Sequence, residues 1–225
     1  MKPAALIAAA LTVALLALLV RGEHPTAPAT AAAAIDPPPL VPQPVPVRVP
    51  PEPSRAIGLP YAGRLVHGVQ LPPDGIDFFT WDPILKQAPN RDWRRWGTDR
   101  LVAVLVRVLS DYRAEHPGAA RVGIGDLSRP HGGNFGPRFG APGHASHQNG
   151  LDADVYYPRR DGLERRPRSP AMVDRLLSQD LVDRFVEAGA QFVFVGPHVR
   201  LRGPPKVVQP LRLHDDHMHV RIRRR

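Results

Sequence analysis

The sequence predicts an α+β fold: a single compact domain over residues 61–225 with a small antiparallel sheet and flanking helices, preceded by a disordered proline-rich linker. Three observations carry this prediction. One apolar stripe of helical period runs through residues 98–115. Two short segments, near 152–157 and 217–222, alternate polar and apolar side chains as half-buried strands do. Between Ile35 and Pro60, ten prolines fall in 26 residues and almost nothing there can build a core.

In chain order, Met1-Lys2 precedes an unbroken apolar run from Ala4 to Val20, closed by Arg21. That run fits either a cleaved export signal or a retained membrane anchor, and residues 1–34 are assigned to it together with the small-residue stretch behind it. Residues 35–60 read as a polyproline-like spacer; at about 3.1 Å per residue it reaches on the order of 80 Å. Both features place the domain outside the cytoplasm, in the periplasm or cell wall.

Of the 30 basic and 21 acidic residues, 26 and 18 lie from Tyr61 onward, so the domain carries nearly all of the net charge of +9. A basic exported domain favours an anionic wall polymer or a membrane surface as partner. Nucleic acid is not expected, because there is no basic recognition helix and Trp81, Trp93 and Trp96 are not interleaved with a basic stripe. The closing Arg221-Ile222-Arg223-Arg224-Arg225 reads as a solvated tail. The chain has no cysteine, which excludes a disulfide framework, a thiolate-liganded metal and a Cys–His nucleophile.

Within the domain, Thr98 caps a helix running to about Glu115, with Leu101, Val104, Leu105, Val108, Leu109 and Tyr112 on its buried stripe. A short strand is expected at Val122 to Leu127. A loop rich in glycine and proline follows from Ser128 to Ser146, a length usual for functional or disordered loops. Ser169-Pro170 opens a helical stretch that breaks near Ser178 and ends at Gly189, and Gln191 to Val195 reads as a buried strand.

Seven of the ten histidines fall between His131 and His219, and two clusters concentrate them: Gly143 to Asp154 (GHASHQNGLDAD) and His214 to His219 (HDDHMH). On a strand, His217, His219 and Arg221 share one face, while Met218, Val220 and Ile222 share the other. Likewise Asp152, Asp154 and Tyr156 alternate with Ala153, Val155 and Tyr157. Two histidines and one carboxylate with an open fourth position are a ligand set of catalytic zinc, and either Asp152 or Asp154 can supply the carboxylate. No glutamate lies within ten residues of the cluster histidines. A proton-transfer role therefore falls to His217 first and His214 second, with Asp215 and Asp216 placed to bond imidazole nitrogens. His131 and His198 read as ordinary loop histidines. No serine nucleophile elbow, phosphate loop or dinucleotide fingerprint is present.

At these residues the sequence resembles the penicillin-insensitive murein endopeptidases, a branch of the group that includes lysostaphin-like and D-Ala-D-Ala zinc peptidases and the hedgehog signalling domain. The shared pattern is Gly-His-x-Ser-His-Gln-x-Gly-x-Asp-x-Asp followed by His-Asp-Asp-His-x-His; Gly125-Asp126 and Gly132-Gly133 also look similar. The resemblance implies a sheet that carries one zinc per chain on His147, Asp154 and His219. It implies His217 and His214 as catalytic neighbours, with His144, Ser146, Asp152, Asp215 and Asp216 behind the ligands or against the substrate. The implied reaction is hydrolysis of D-alanyl peptide cross-links in peptidoglycan. Related alternatives are a D,D-carboxypeptidase that trims stem peptides and a non-catalytic, zinc-containing wall-binding protein. Pro210-Leu211-Arg212-Leu213 lacks the tryptophans expected in close members, which alters one wall of the implied cleft.

Overall fold

The computed structural model describes residues 52–139 and 143–224. The expected signal or anchor and most of the expected linker lie outside these residues, as does Arg225. Among the described residues no helix is long and apolar enough to cross a membrane.

Among the described residues, ten strands and two α-helices follow one another in an α+β order. A hairpin of β1 (Arg55–Leu59) and β2 (Ala62–Val66) comes first. The last residues of the segment read as linker are therefore a paired strand: between Pro53 and Pro60 the backbone has its N–H groups free to enter a ladder. Two short strands, β3 (Val69–Gln70) and β5 (Trp96–Gly97), pair with each other on either side of β4 (Phe78–Thr80).

The main sheet has six strands in the order β4, β6 (Val122–Ile124), β7 (Asp152–Tyr156), β10 (His217–Ile222), β8 (Ala190–Val195), β9 (Val208–Pro210). Its four central strands are antiparallel, as expected, and one parallel pair closes each edge, β4 with β6 and β8 with β9.

Helix α1 spans Asp99–Glu115, and Thr98 accepts the Leu101 N–H as its cap. Val102 is fully buried and Val104 only partly, because α1 also packs against β3, where Val69 lies near Val102. The second helical stretch breaks earlier than expected. Pro170–Met172 forms a separate 3-10 turn, and Asp174 then caps α2 (Arg175–Glu187) by accepting from Leu176 and Leu177. Ser178 sits in the first turn of that helix, buried, with its hydroxyl on the Asp174 carbonyl.

Both helices cover one face of the sheet. Ala153, Val155, Met218, Val220 and Ile222 join Leu105, Leu109, Leu181 and Phe185 in one buried cluster. Cutting such a side chain to alanine costs about 2–5 kcal/mol. That burial fixes the register between β7 and β10, because a one-residue slip sends every side chain to the opposite face. The register pairs His219 with Asp154, Arg221 with Asp152 and His217 with Tyr156, all on the face turned away from the helices.

The loop from Ser128 to Ser146 is tied down at several points. Leu65 N–H bonds His131 O, Gly133 N–H bonds Gln148 O, and Phe135 bridges to His144. At Gly132 φ is +67° and an added Cβ would lie 2.1 Å from the Gln148 carbonyl oxygen, so only glycine lets the loop lie this close to the hairpin.

Candidate metal centre

The polar face of β7 and β10 forms the floor of a cleft of about 700 Å³. His147 enters from the preceding loop, in a left-handed conformation (φ 65°) supported by its own N–H bonding Asp152 Oδ2 at 3.2 Å. Its ring is fully buried, and Nδ1–H donates to the Leu127 carbonyl at 2.7 Å, which leaves Nε2 with its lone pair. His219 is oriented by the same device from the opposite side: Nε2–H donates to Asp152 Oδ1 at 2.9 Å, so Nδ1 faces the centre.

These two nitrogens meet Asp154. His147 Nε2 to His219 Nδ1 is 3.2 Å, and each nitrogen is 3.3 Å from Asp154 Oδ1. Donor atoms about 2.0–2.1 Å from a tetrahedral zinc lie about 3.3 Å from one another. The triangle therefore has the edge length of a zinc ligand set. Asp154 Oδ1 is moreover a buried acceptor with no hydrogen-bond partner among the described residues. Three converging acceptors need a positive charge among them. The two carboxylates beside His219 favour a proton in that place. Burial alone would lower the His219 pKa, but Asp152 and Asp154 raise it to about 9. His147, dominated by burial, is lowered, and Asp154 is held well below the usual carboxylate range by the histidines around it despite its burial. The residues present thus fit the zinc that the resemblance implies.

His144 offers a wider grouping. Ligand atoms of His144, His147 and Asp154 lie within 4.8 Å of one another. Its Nε2, however, is 2.7 Å from Asp126 Oδ2, and its Nδ1 stands 3.8 Å from Asp154 Oδ2. The His147, Asp154 and His219 set is the tighter one.

His217 lies beside the triangle, with Nε2 3.6 Å from Asp154 Oδ1 and Nδ1 on Asp216 Oδ1 at 2.6 Å. Burial depresses its pKa, but Asp154 and Asp216 outweigh that and raise it. The His214 ring is 4.7 Å from that of His217, and its Nδ1–H donates to the Arg212 carbonyl. Burial, aided by His217, pushes its pKa down to about 4, so it is neutral at pH 7.

Of the other expected site residues, Asp152 stands behind His219. Burial would raise its pKa, but His219, His147 and Arg221 bring it down to about 2. Ser146 lines the cleft. Asp216 orients His217, whereas Asp215 turns away and accepts from both the backbone and Nδ1 of His198. His198 is accordingly a paired loop histidine, and His131 is an exposed one.

Three arginines near the site had no assigned role in the sequence. Arg94, fully buried, forms a bidentate pair with Asp126, which also accepts from Asn90 and His144. Arg221 bonds Asp152 and is not part of a tail, although Arg223 and Arg224 are exposed. Arg166 pairs with Asp216. The alternation that placed Arg221 with His217 and His219 was the available signal for it. For Asp126 the only signal was its place in the Gly125-Asp126 pair.

An α+β scaffold with three converging metal donors and three further imidazoles, of His144, His214 and His217, in one cleft defines a candidate metal-dependent hydrolase site. The chain belongs to the penicillin-insensitive murein endopeptidase family, whose model matches residues 56–188. That match stops short of the His214–His219 cluster. Curated relatives named penicillin-insensitive murein endopeptidase include one from Salmonella heidelberg, 31% identical over 168 residues (61% of this chain and 57% of that protein). Others are from Pectobacterium atrosepticum, 27% over 196 residues (75% and 64%), and Haemophilus influenzae, 28% over 203 residues (77% and 66%). The chain thus spans between about 57% and 66% of the length of these relatives.

Proposed function

We propose that this chain is a zinc-dependent peptidoglycan endopeptidase that hydrolyses D-alanyl cross-links outside the cytoplasm. The observation that carries the reading is the triangle of acceptors with edges of 3.2–3.3 Å on His147, Asp154 and His219, in a cleft with an orphaned carboxylate oxygen at its floor. Family membership supports peptidoglycan as the substrate, and the apolar run at Ala4–Val20 and the basic domain support an exported setting near anionic wall polymer or a membrane surface.

When bound by these three residues, zinc supplies a Lewis acid and lowers the pKa of a water. The chain's own groups do the rest. His217, with Nδ1–H held by Asp216, presents Nε2 to the cleft. There it takes the proton of the attacking water and returns it to the leaving amine. His214, neutral and adjacent, offers a hydrogen-bonding nitrogen to the substrate or to that water. Asp152 and the Leu127 carbonyl keep the two ligand imidazoles in the tautomers that face inward.

The test is zinc content of the full-length chain, followed by digestion of cross-linked peptidoglycan with and without chelator. About one zinc per chain and chelator-sensitive loss of dimeric muropeptides are expected, with His217→Gln keeping its zinc while losing turnover. Cleavage of monomeric stem peptides alone points to a carboxypeptidase. Bound zinc without any cleavage points to a wall-binding role, and a metal-free protein refutes the centre.

A further inference from the structure

Among the arginines that line the cleft, Arg166 is the one both anchored and open. Its backbone carbonyl accepts from Arg159 Nη1. Its Nη1 stands 3.1 Å from Asp216 Oδ2, and its side chain is 34% exposed. Nε and Nη2 have no partner among the described residues. Arg94 is committed to Asp126 and the Phe139 carbonyl and is 2% exposed; Arg221 is 14% exposed and bonded to Asp152 through Nε. Arg212 is exposed, with no partner for its side chain among the described residues. A guanidinium has five donors in a rigid fork that matches a carboxylate in two-pronged fashion. Asp216 uses one edge of the Arg166 fork and neutralises part of its charge, while the other edge remains for a ligand.

Direction follows from the order of groups. Asp154 and His219 lie at the centre, His217 beside them, Asp216 on the far nitrogen of His217, and Arg166 beyond Asp216. Arg166 lines the same cleft as His217. In the mechanism proposed above the leaving amine takes its proton from His217, which puts the amine-side residue of the substrate on the side of the cleft that Arg166 lines. We infer that Arg166 binds a carboxylate on the carbon that carries the scissile nitrogen, and so selects cross-links in which the linking amine belongs to an α-amino acid centre. The inference rests on the endopeptidase reading above. A diaminopimelate-type linkage has this carboxylate, a lysine-type side-chain amine lacks it, and amidation removes its charge.

The experiment uses the full-length, zinc-loaded chain and two dimeric muropeptides that differ only in whether that carboxylate is free or amidated. A charged, two-pronged contact is worth about 10- to 100-fold, so the wild type should prefer the free acid by that factor in kcat/KM. In Arg166→Gln the ratio should collapse toward one, mainly through KM, and Arg166→Lys should recover part of it. Wild-type indifference to amidation overturns the inference. So does an equal loss on both substrates in the variant, since a merely structural arginine lowers both alike. Calorimetric binding of the monomeric product, as free acid and as amide, separates the two readings. Arg166-dependent preference for the acid without cleavage of either dimer refutes the endopeptidase and leaves the carboxylate site standing.

Discussion

Metal binding at this centre should release a proton, and the number is set by the geometry. Asp152 at Nε2 and Asp154 at Nδ1 raise His219 to about 9 in the metal-free protein. At pH 7 a group with that pKa is about 99% protonated, whereas a metal ligand must be a neutral imidazole. Zinc therefore displaces close to one proton per chain at pH 7. Below pH 9 its affinity should rise about tenfold per pH unit, and above pH 9 it should level off. The sign for stability is the opposite. A raised imidazole pKa stabilises the metal-free fold below pH 6.5, and this contribution is lost as pH climbs through about 9. Calorimetric titration of the chelated protein with zinc, in buffers of different ionisation enthalpy, counts the released protons directly. Stoichiometric binding with a buffer-independent enthalpy at pH 7 would refute the picture of a proton holding the centre in the metal's place.

Three further outcomes follow from named contacts. Asp152→Asn should weaken zinc binding about 10- to 100-fold when measured above pH 9. At pH 7 the deficit should be smaller, because the same change lets His219 lose its competing proton; an equal deficit at both values counts against the coupling. His214, at about 4 in the fold and near 6.5 when unfolded, makes the fold lose stability as pH falls through that interval. His214→Gln should flatten that acid limb in chemical denaturation, and an unchanged limb assigns it elsewhere. Thr98 Oγ accepts the Leu101 N–H and donates to the Gly150 carbonyl, so it joins α1 to the turn that leads into β7. Thr98→Ala should cost about 1–2 kcal/mol and, at about 2–4 °C per kcal/mol, lower Tm by several degrees; an unaltered melting curve refutes this.

What was legible in the sequence is what the residues encode locally. The polar faces of β7 and β10 could be read because alternation is written into each segment and one face must be buried, and α1 because its stripe and its cap agree. Strands such as β3, β5 and β9 have two or three residues and exist through their partners, so no periodicity marks them. The start of α2 was misplaced because Pro170 satisfies a helix-start rule that here serves a 3-10 turn, while Asp174 caps the helix proper. Asp126 is a single carboxylate in a glycine-rich stretch, and its importance arises from Arg94, 32 residues earlier, and His144, 18 residues later. Arg221 was hidden by company: a run of arginines reads as a tail unless the burial of Ile222 is weighed with the alternation.

The long-range pairs also explain why Asp154 differs from its neighbours. Three chains of Arg–Asp–His surround the centre: Arg94 with Asp126 and His144, Arg221 with Asp152 and His219, Arg166 with Asp216 and His217. In each, an arginine balances the carboxylate that orients the imidazole, so these three carboxylates add little net charge to the cleft. Among the described residues Asp154 has no arginine partner, and its Oδ1 accepts no hydrogen bond. The negative charge that no arginine balances is therefore concentrated on the one oxygen that faces the His147 and His219 rings. A divalent ion held there by two neutral rings and one carboxylate keeps a net charge of about +1. Were zinc held by His147, Asp154 and His219, that residual charge would supply Lewis acidity to the cleft. A fourth balanced chain would place the same residues nearby without that bias, so the missing arginine at Asp154 is as much a part of the site as the histidines are.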